Sequence, residues 1–319
     1  EPGANPPAAH VADAVTTASY DDRAALTAFA QSVDVITYEF ENIPTSALDL
    51  LETLRPIHPG RQALATSQDR LVEKNFLQSL GLQTAPFATV DNTADLDAAI
   101  AQIGTPAIMK TRTMGYDGKG QARIMSQGDA AQALADMAGA PAILEGFVNF
   151  SHEVSIIGAR SADGAVACFD PGENVHVDGI LRTTTVPAKL TPSQRTDAVL
   201  IAARILNELD YVGVMGVELF MTQQGLIVNE IAPRVHNSGH WTQNGCTTDQ
   251  FEQHIRAVAG WPLGDGSRHS DVVMENLIGD DMDRLPELAK TTAALHLYGK
   301  ADVKTGRKMG HVNHVKPSK

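Results

Sequence analysis

Two hydrophobic periods alternate along the chain, and the places where one gives way to the other mark its elements. Residues 21–32 read as a helix and are followed by Val33-Asp34-Val35-Ile36-Thr37-Tyr38. The length and β-branched content of that run predict a strand buried in a parallel sheet. Pro44 opens a second helix through residue 54. This strand–helix alternation starts abruptly, as in a doubly wound domain whose first βα unit is missing. Thr66-Ser67-Gln68-Asp69 reads as an N-cap with an acid three residues on; Leu71, Phe76, Leu77 and Leu80 follow, then Gly81 as a C-cap. An amphipathic helix over 95–103 lies between Pro86 and Pro106. The capping box Thr191-Pro192-Ser193-Gln194 opens another, with apolar face Ala198, Ala202, Ile205 and Leu209. From about residue 85 to 280, hairpins mix with single helices, which favours α+β construction over continuous winding.

Composition bounds the function. The 319 residues suggest about two domains. A net charge of −13 makes nucleic acid and anionic membrane surfaces poor partners, so an anionic substrate needs a local basic cluster. Cys168 and Cys246 show no zinc-site spacing and fit a reducing compartment. No run approaches the ~18 apolar residues of a membrane span, and residues 1–7 do not resemble a signal peptide. A cytoplasmic protein is expected.

Four constellations could carry chemistry. Lys110 ends a short strand, 107–111, and precedes Gly115-Tyr116-Asp117-Gly118-Lys119-Gly120, with 121–125 as the returning strand. Its glycines let backbone N–H groups approach an anion, and the lysine adds a point charge. The competing reading is a flexible hairpin tip; the segment is neither a Walker loop nor a dinucleotide fingerprint. Second, apolar strands 212–221 and 226–232 flank Thr222-Gln223-Gln224-Gly225, read as a three-residue hairpin loop centred on Gln224. That turn sets Glu218 directly opposite Glu230, with Cβ atoms ~5 Å apart. Their same-face neighbours are expected to be Gly216, Phe220, Val228 and Ala232. Facing carboxylates on an apolar hairpin repel, and a divalent cation resolves the conflict.

The third constellation is Pro233-Arg234-Val235-His236-Asn237-Ser238-Gly239-His240-Trp241-Thr242. Its histidines have zinc-protease spacing, but Asn237 stands where the general-base glutamate would be and Gly239 breaks the required helix. It reads as an irregular, donor-rich loop beside the metal, suited to a small oxyanion. The fourth is Lys300 with Gly306-Arg307-Lys308, a basic cluster able to hold a phosphate or simply to face solvent.

The segments YEFENIP, KTRTMGYDGKGQ, NEIAPRVHNSGHWT and GRKMGHVN, in that order, closely resemble the 5-(carboxyamino)imidazole ribonucleotide synthases, ATP-grasp ligases of de novo purine synthesis. The resemblance covers nearly the whole chain. It implies an ATP-grasp fold with an incomplete N-terminal Rossmann-like α/β domain over 1–62. A linker helix and lid occupy 63–147, and a catalytic subdomain with a small C-terminal β extension, incomplete at its end, occupies 148–319. ATP would phosphorylate bicarbonate to carboxyphosphate, and the exocyclic amine of aminoimidazole ribonucleotide would capture the carboxyl, releasing ADP and phosphate. Cofactors would be ATP and Mg²⁺, two ions, and the assembly a homodimer.

The resemblance also assigns residues. Arg70, Lys110, Gly115, Tyr116, Asp117, Gly118, Lys119, Gly120 and Gln121 fall over the ATP phosphates. Glu145, Gly146, Phe147 and Val148 fall at the adenine linker, Glu153 at the ribose, and His176, Asn229 and Glu230 at further nucleotide contacts. Glu218 and Glu230 would hold magnesium. Arg234, His236 and Asn237 would surround bicarbonate, with Asp117 and Lys119 also catalytic and Asp117 as base. Glu39, Tyr116, Ser238, Lys300 and Arg307 would face the nucleotide substrate. Ala232 departs from the pattern, since many ATP-grasp enzymes carry Asn two residues after the second metal glutamate. A sister ATP-grasp ligase acting on another amine, or a non-catalytic nucleotide-binding regulator, are the alternatives.

Overall fold

The computed structural model describes residues 1–3, 6–115 and 118–318. At the N-terminal end, helices α1 (Arg23–Gln31), α2 (Thr45–Leu51) and α3 (Arg61–Ser67) surround a cluster of Ala30, Ile36, Tyr38, Leu48, Leu51 and Leu64. Asp22 caps α1 by accepting the Ala24 and Ala25 N–H groups. The strand expected over 33–38 does not form. Ile36 makes a single parallel bridge to Ile57, and the apolar run is buried by helices instead of by neighbouring strands. Helix α2 also stops earlier than expected, at Leu51.

Helix α4 (Arg70–Ser79) starts from Asp69, whose carboxylate accepts the Leu71 and Val72 N–H groups. The cap is therefore Asp69 and not Thr66, which lies buried inside α3. Gly81 follows with φ +70°, as a helix-terminating glycine requires.

The next unit contains β1 (Phe87–Val90), α5 (Thr93–Ile103), β2 (Ala107–Thr111), β3 (Gln121–Ile124), α6 (Ala130–Asp136) and β4 (Ala142–Gly146). Its strands form a separate antiparallel sheet in the order β1-β4-β2-β3. Val90, Leu96, Ile100, Met109, Ile124, Ala133 and Leu144 give it an apolar core of its own. The hairpin β2–β3 carries the glycine-rich loop at its tip.

The large unit runs through β5 (His152–Arg160), β6 (Val166–Cys168), β7 (Gly172–Val177), β8 (Ile180–Val186), α7 (Pro192–Glu208), β9 (Gly213–Thr222) and β10 (Gly225–Ala232). It continues through α8 (Thr242–Gly245), α9 (Gln250–Val258), β11 (Ser270–Ile278), α10 (Leu285–Leu288), β12 (Ala294–Leu297) and β13 (Lys308–Pro317). One sheet joins them in the order β10-β9-β5-β7-β8-β11-β13-β12, with β6 on β5. The C-terminal strands thus extend the same sheet through β11, which pairs with β8 on one side and β13 on the other. Helix α7 has the expected capping box, and Ala198, Ala202, Ile205 and Leu209 are all buried against β5, β9 and β10. Among the described residues no helix is long and apolar enough to cross a membrane.

Candidate active site

Hairpin β9–β10 sets the geometry. Gly225 pairs with Thr222, so only Gln223 and Gln224 form the turn, one residue fewer than expected. Pairing continues through Val228 opposite Leu219 and then slips at Asn229, a bulge, so that Glu230 stands opposite Glu218. The two acids face each other as expected, but by way of the bulge. Regular pairing would have set Glu230 opposite Val217, on the core face; instead Asn229 and Glu230 together oppose Glu218. Val228 correspondingly belongs to the core with Leu219 and not to the acid-bearing face.

Positive charge surrounds Glu230. Arg70 Nη1 donates to its Oε2 at 2.9 Å. Burial opposes its ionisation, but Arg70, then Lys110, hold its pKa well below the usual carboxylate range. Burial and the facing Glu230 push Glu218 the other way. Asn229 Nδ2 lies 3.5 Å from Glu218 Oε2, and Asn229 Oδ1 is buried without a hydrogen-bond partner. Two opposed carboxylates and an orphaned amide oxygen make a hard-oxygen donor set of the kind magnesium takes. Among the described residues no three His, Cys, Asp or Glu side chains converge, so phosphate oxygens and water would complete the coordination.

Lys110, next to last in β2, donates to Glu145 Oε2 at 2.9 Å. The Glu145 carboxylate is therefore turned inward, buried against Lys110. Phe147, further along the 145–148 linker, is half exposed. The glycine-rich loop closes against the large sheet: a Cβ on Gly118 would stand 3.4 Å from Asp178 O. Gly120 has φ +69°, and a Cβ there would stand 2.6 Å from Thr111 Oγ1, so the loop needs glycine at that point. Gly115 lies beside the Arg70 guanidinium, and Lys119 and Gln121 are exposed along the loop. Tyr116 and Asp117, expected to contact both nucleotides, lie outside the described residues.

On neighbouring β5 and β7, Glu153 pairs with His176, whose pKa is raised because that contact outweighs burial. The Glu218 charge also reaches His176, which places the pair beside the acids.

The loop after β10 passes close over β9. A Cβ on Gly216 would stand 2.7 Å from that of His236, so only glycine admits the loop. His236 Nε2 lies 3.5 Å from Glu218 Oε1, and its Nδ1 shares a hydrogen bond with Ser238 Oγ at 2.8 Å. Burial, then Arg234 and Lys308, push its pKa down to about 3, so the ring is neutral near pH 7. Arg234 Nη2 donates to Glu41 Oε2 at 3.0 Å, and the Glu39 charge also reaches it. Asn237 exchanges hydrogen bonds with Asn276 at 2.9 and 2.6 Å. Gln250 fastens the loop from outside, accepting the His236 N–H at 2.9 Å.

Lys300 donates to Lys308 O at 2.8 Å and Arg307 to Asp302 O at 2.9 Å, so both sit on the β12–β13 connection. The Lys308 charge reaches His176, His236 and His240, which ties this basic segment to the acids and the loop.

Sequence reading missed Glu41, Glu73, Lys74 and Gln250. Glu41 had a signal, since it stands two residues from Glu39 in YEFENIP. Glu73 and Lys74 had none, because adjacent charges on a short helix read as a solvated face.

Three families match consecutive parts of the chain: a ribonucleotide synthetase preATP-grasp domain over residues 1–68, an ATP-grasp domain over 75–251, and a phosphoribosylaminoimidazole carboxylase C-terminal domain over 272–319. The N5-carboxyaminoimidazole ribonucleotide synthase of Brucella melitensis is 53% identical, over 99% of this chain and 89% of its own length. An ADP complex of an N5-carboxyaminoimidazole ribonucleotide synthetase superposes with TM-score 0.96 at 43% identity, covering 99% of this chain and 84% of that one. The Aspergillus clavatus enzyme in complex with ADP and 5-aminoimidazole ribonucleotide gives TM-score 0.92 at 30% identity, covering 98% and 85%. The chain thus belongs to the N5-carboxyaminoimidazole ribonucleotide synthase family of ATP-grasp ligases.

Proposed function

We propose that this protein uses ATP and bicarbonate to carboxylate the exocyclic amine of 5-aminoimidazole ribonucleotide, giving N5-carboxyaminoimidazole ribonucleotide, ADP and phosphate. The observation that carries this reading is the opposition of Glu218 and Glu230 beneath the lid, with Arg70, Lys110 and Arg234 around them. Phosphoryl transfer asks for alignment and charge neutralisation more than for covalent chemistry. Lys110 and Arg70 supply cationic groups for the transferred phosphate. Glu218, Glu230 and Asn229 would hold magnesium, which neutralises phosphate charge when bound.

Arg234 and Asn237 would orient bicarbonate so that its oxygen attacks the γ-phosphorus in line, forming carboxyphosphate and releasing ADP. Neutral His236, accepting at Nδ1 from Ser238, presents an Nε2–H donor to the developing oxyanion. Carboxyphosphate then yields its carboxyl to the substrate amine, which loses a proton as the C–N bond forms and phosphate leaves. A closed glycine-rich loop excludes the water that would otherwise consume this intermediate. Lys300 and Arg307 would hold the substrate phosphate.

The test is ADP release with 5-aminoimidazole ribonucleotide, with and without bicarbonate. Turnover is expected only with both present; ADP formation indifferent to both would refute the reading. Turnover with formate and not bicarbonate would identify a sister ligase.

A further inference from the structure

Burying ionic groups is costly, and a buried pair contributes less to stability than apolar residues of the same shape often would. Helix α4 nevertheless buries Glu73 at 2% and Lys74 at 0% exposure. Both make their contacts to one stretch of backbone. Lys74 Nζ donates to the Asn229 carbonyl at 2.7 Å, and Glu73 Oε1 accepts the Ile231 N–H at 2.7 Å. These two backbone groups flank Glu230. A bulge disrupts the ladder locally, and groups released from it need other partners when buried. One helical turn earlier, Arg70 grips the Glu230 carboxylate itself. Residues 70, 73 and 74 share a helix face at i, i+3 and i+4, so one rigid element holds residues 229, 230 and 231 in succession.

We propose that Glu73 and Lys74 are positioning residues that clamp the bulged backbone and so keep Glu230 opposite Glu218 in register for a cation. The proposal rests on the metal role given to those acids above. Lys74 Nζ also lies 3.7 Å from Glu145 Oε1, which Lys110 holds from the lid, so the clamp is continuous with the lysine over the phosphates.

Mn²⁺ binding to the full chain in saturating ADP, followed by electron paramagnetic resonance, tests this. Lys74→Met and Glu73→Met remove the donor and the acceptor at similar volume, whereas Glu73→Gln keeps an acceptor oxygen. Both methionine variants are expected to weaken Mn²⁺ about tenfold or more, the scale of one buried hydrogen bond lost. Affinity for 5-aminoimidazole ribonucleotide should stay unchanged, and Glu73→Gln should bind Mn²⁺ as the parent does. A merely structural role would lower thermal stability and weaken both ligands together, and that result would overturn the proposal. Glu230→Gln is the control. Loss of Mn²⁺ in Glu230→Gln, with parental binding in both methionine variants, sinks the clamp alone; unchanged binding in Glu230→Gln sinks the metal reading itself. Should the methionine variants not fold, Glu73→Gln and Lys74→Arg decide: parental Mn²⁺ affinity is expected, and a loss of about tenfold would overturn the clamp.

Discussion

Gly216 shows how a site can depend on the absence of a side chain. His236 Cβ occupies the place where a residue-216 Cβ would project. Gly216→Val therefore lifts the loop bearing Arg234, His236 and Asn237 off the sheet, while the hairpin beneath it keeps its pairing. Overpacking of this kind costs about 1–3 kcal/mol, and displacing a charge-stabilising group costs about 10²–10³ in kcat. Steady-state kinetics beside a urea titration would show a fall in kcat far larger than the loss of stability accounts for. At this scale the sequence was informative where like charges had to face each other, as with Glu218 and Glu230. It was silent where a charge is satisfied by backbone, as with Lys74 on the Asn229 carbonyl. No pattern of residue types announces which carbonyl a lysine will meet.

The start of helix α4 links the small sheet to the large one, Asp69 toward β2 and Arg70 toward β10. Asp69 caps the helix, and the same carboxylate accepts from Arg112, one residue beyond β2. Asp69→Asn keeps a capping oxygen and removes the ion pair; Asp69→Ala removes both. The alanine variant is expected to lose about 1 kcal/mol more than the asparagine variant, read from urea midpoints at equal slope. Equal losses would mean that the cap contributes nothing. Elements with a capping box and a clean apolar stripe, such as α7, were legible in the sequence because their local and tertiary preferences agree. The run from Val33 to Tyr38 was not, because a short apolar stretch reads alike whether strands or helices bury it. Only the fold decides between them. The turn holds two residues in place of three and the bulge adds one, so Glu230 still stands opposite Glu218.

Across the whole molecule, buried neutral histidines contribute a share of the response to acid. His311 stacks between His240 and His296, with centroids 4.8 and 4.5 Å away, and its Nδ1 meets Tyr298 Oη at 2.8 Å. This stack joins β12 and β13 to the donor-rich loop. Burial is the main cause that lowers His240 to about 3 and His311 to about 2, from 6.5. Between those values the unfolded chain binds protons that the folded chain refuses. Each such ring is therefore expected to cost stability as pH drops below about 6.5, by roughly 1.4 kcal/mol per pH unit. The buried Glu73 and Glu218, raised by burial and by Glu230, act the other way. Urea unfolding between pH 6 and 4.5 checks this, and His311→Asn should flatten the slope by about one proton. An unchanged slope would show that the ring protonates freely when folded.

The lid's apolar cluster lies wholly within residues 90–144, and the largest cluster beneath it contains none of those residues. Two polar links join them: Arg112 to Asp69, and Lys74 beside Glu145. Parting the two sheets along these links would break ion pairs and leave each cluster whole. Nucleotide entry that loosens those links should therefore respond to ionic strength.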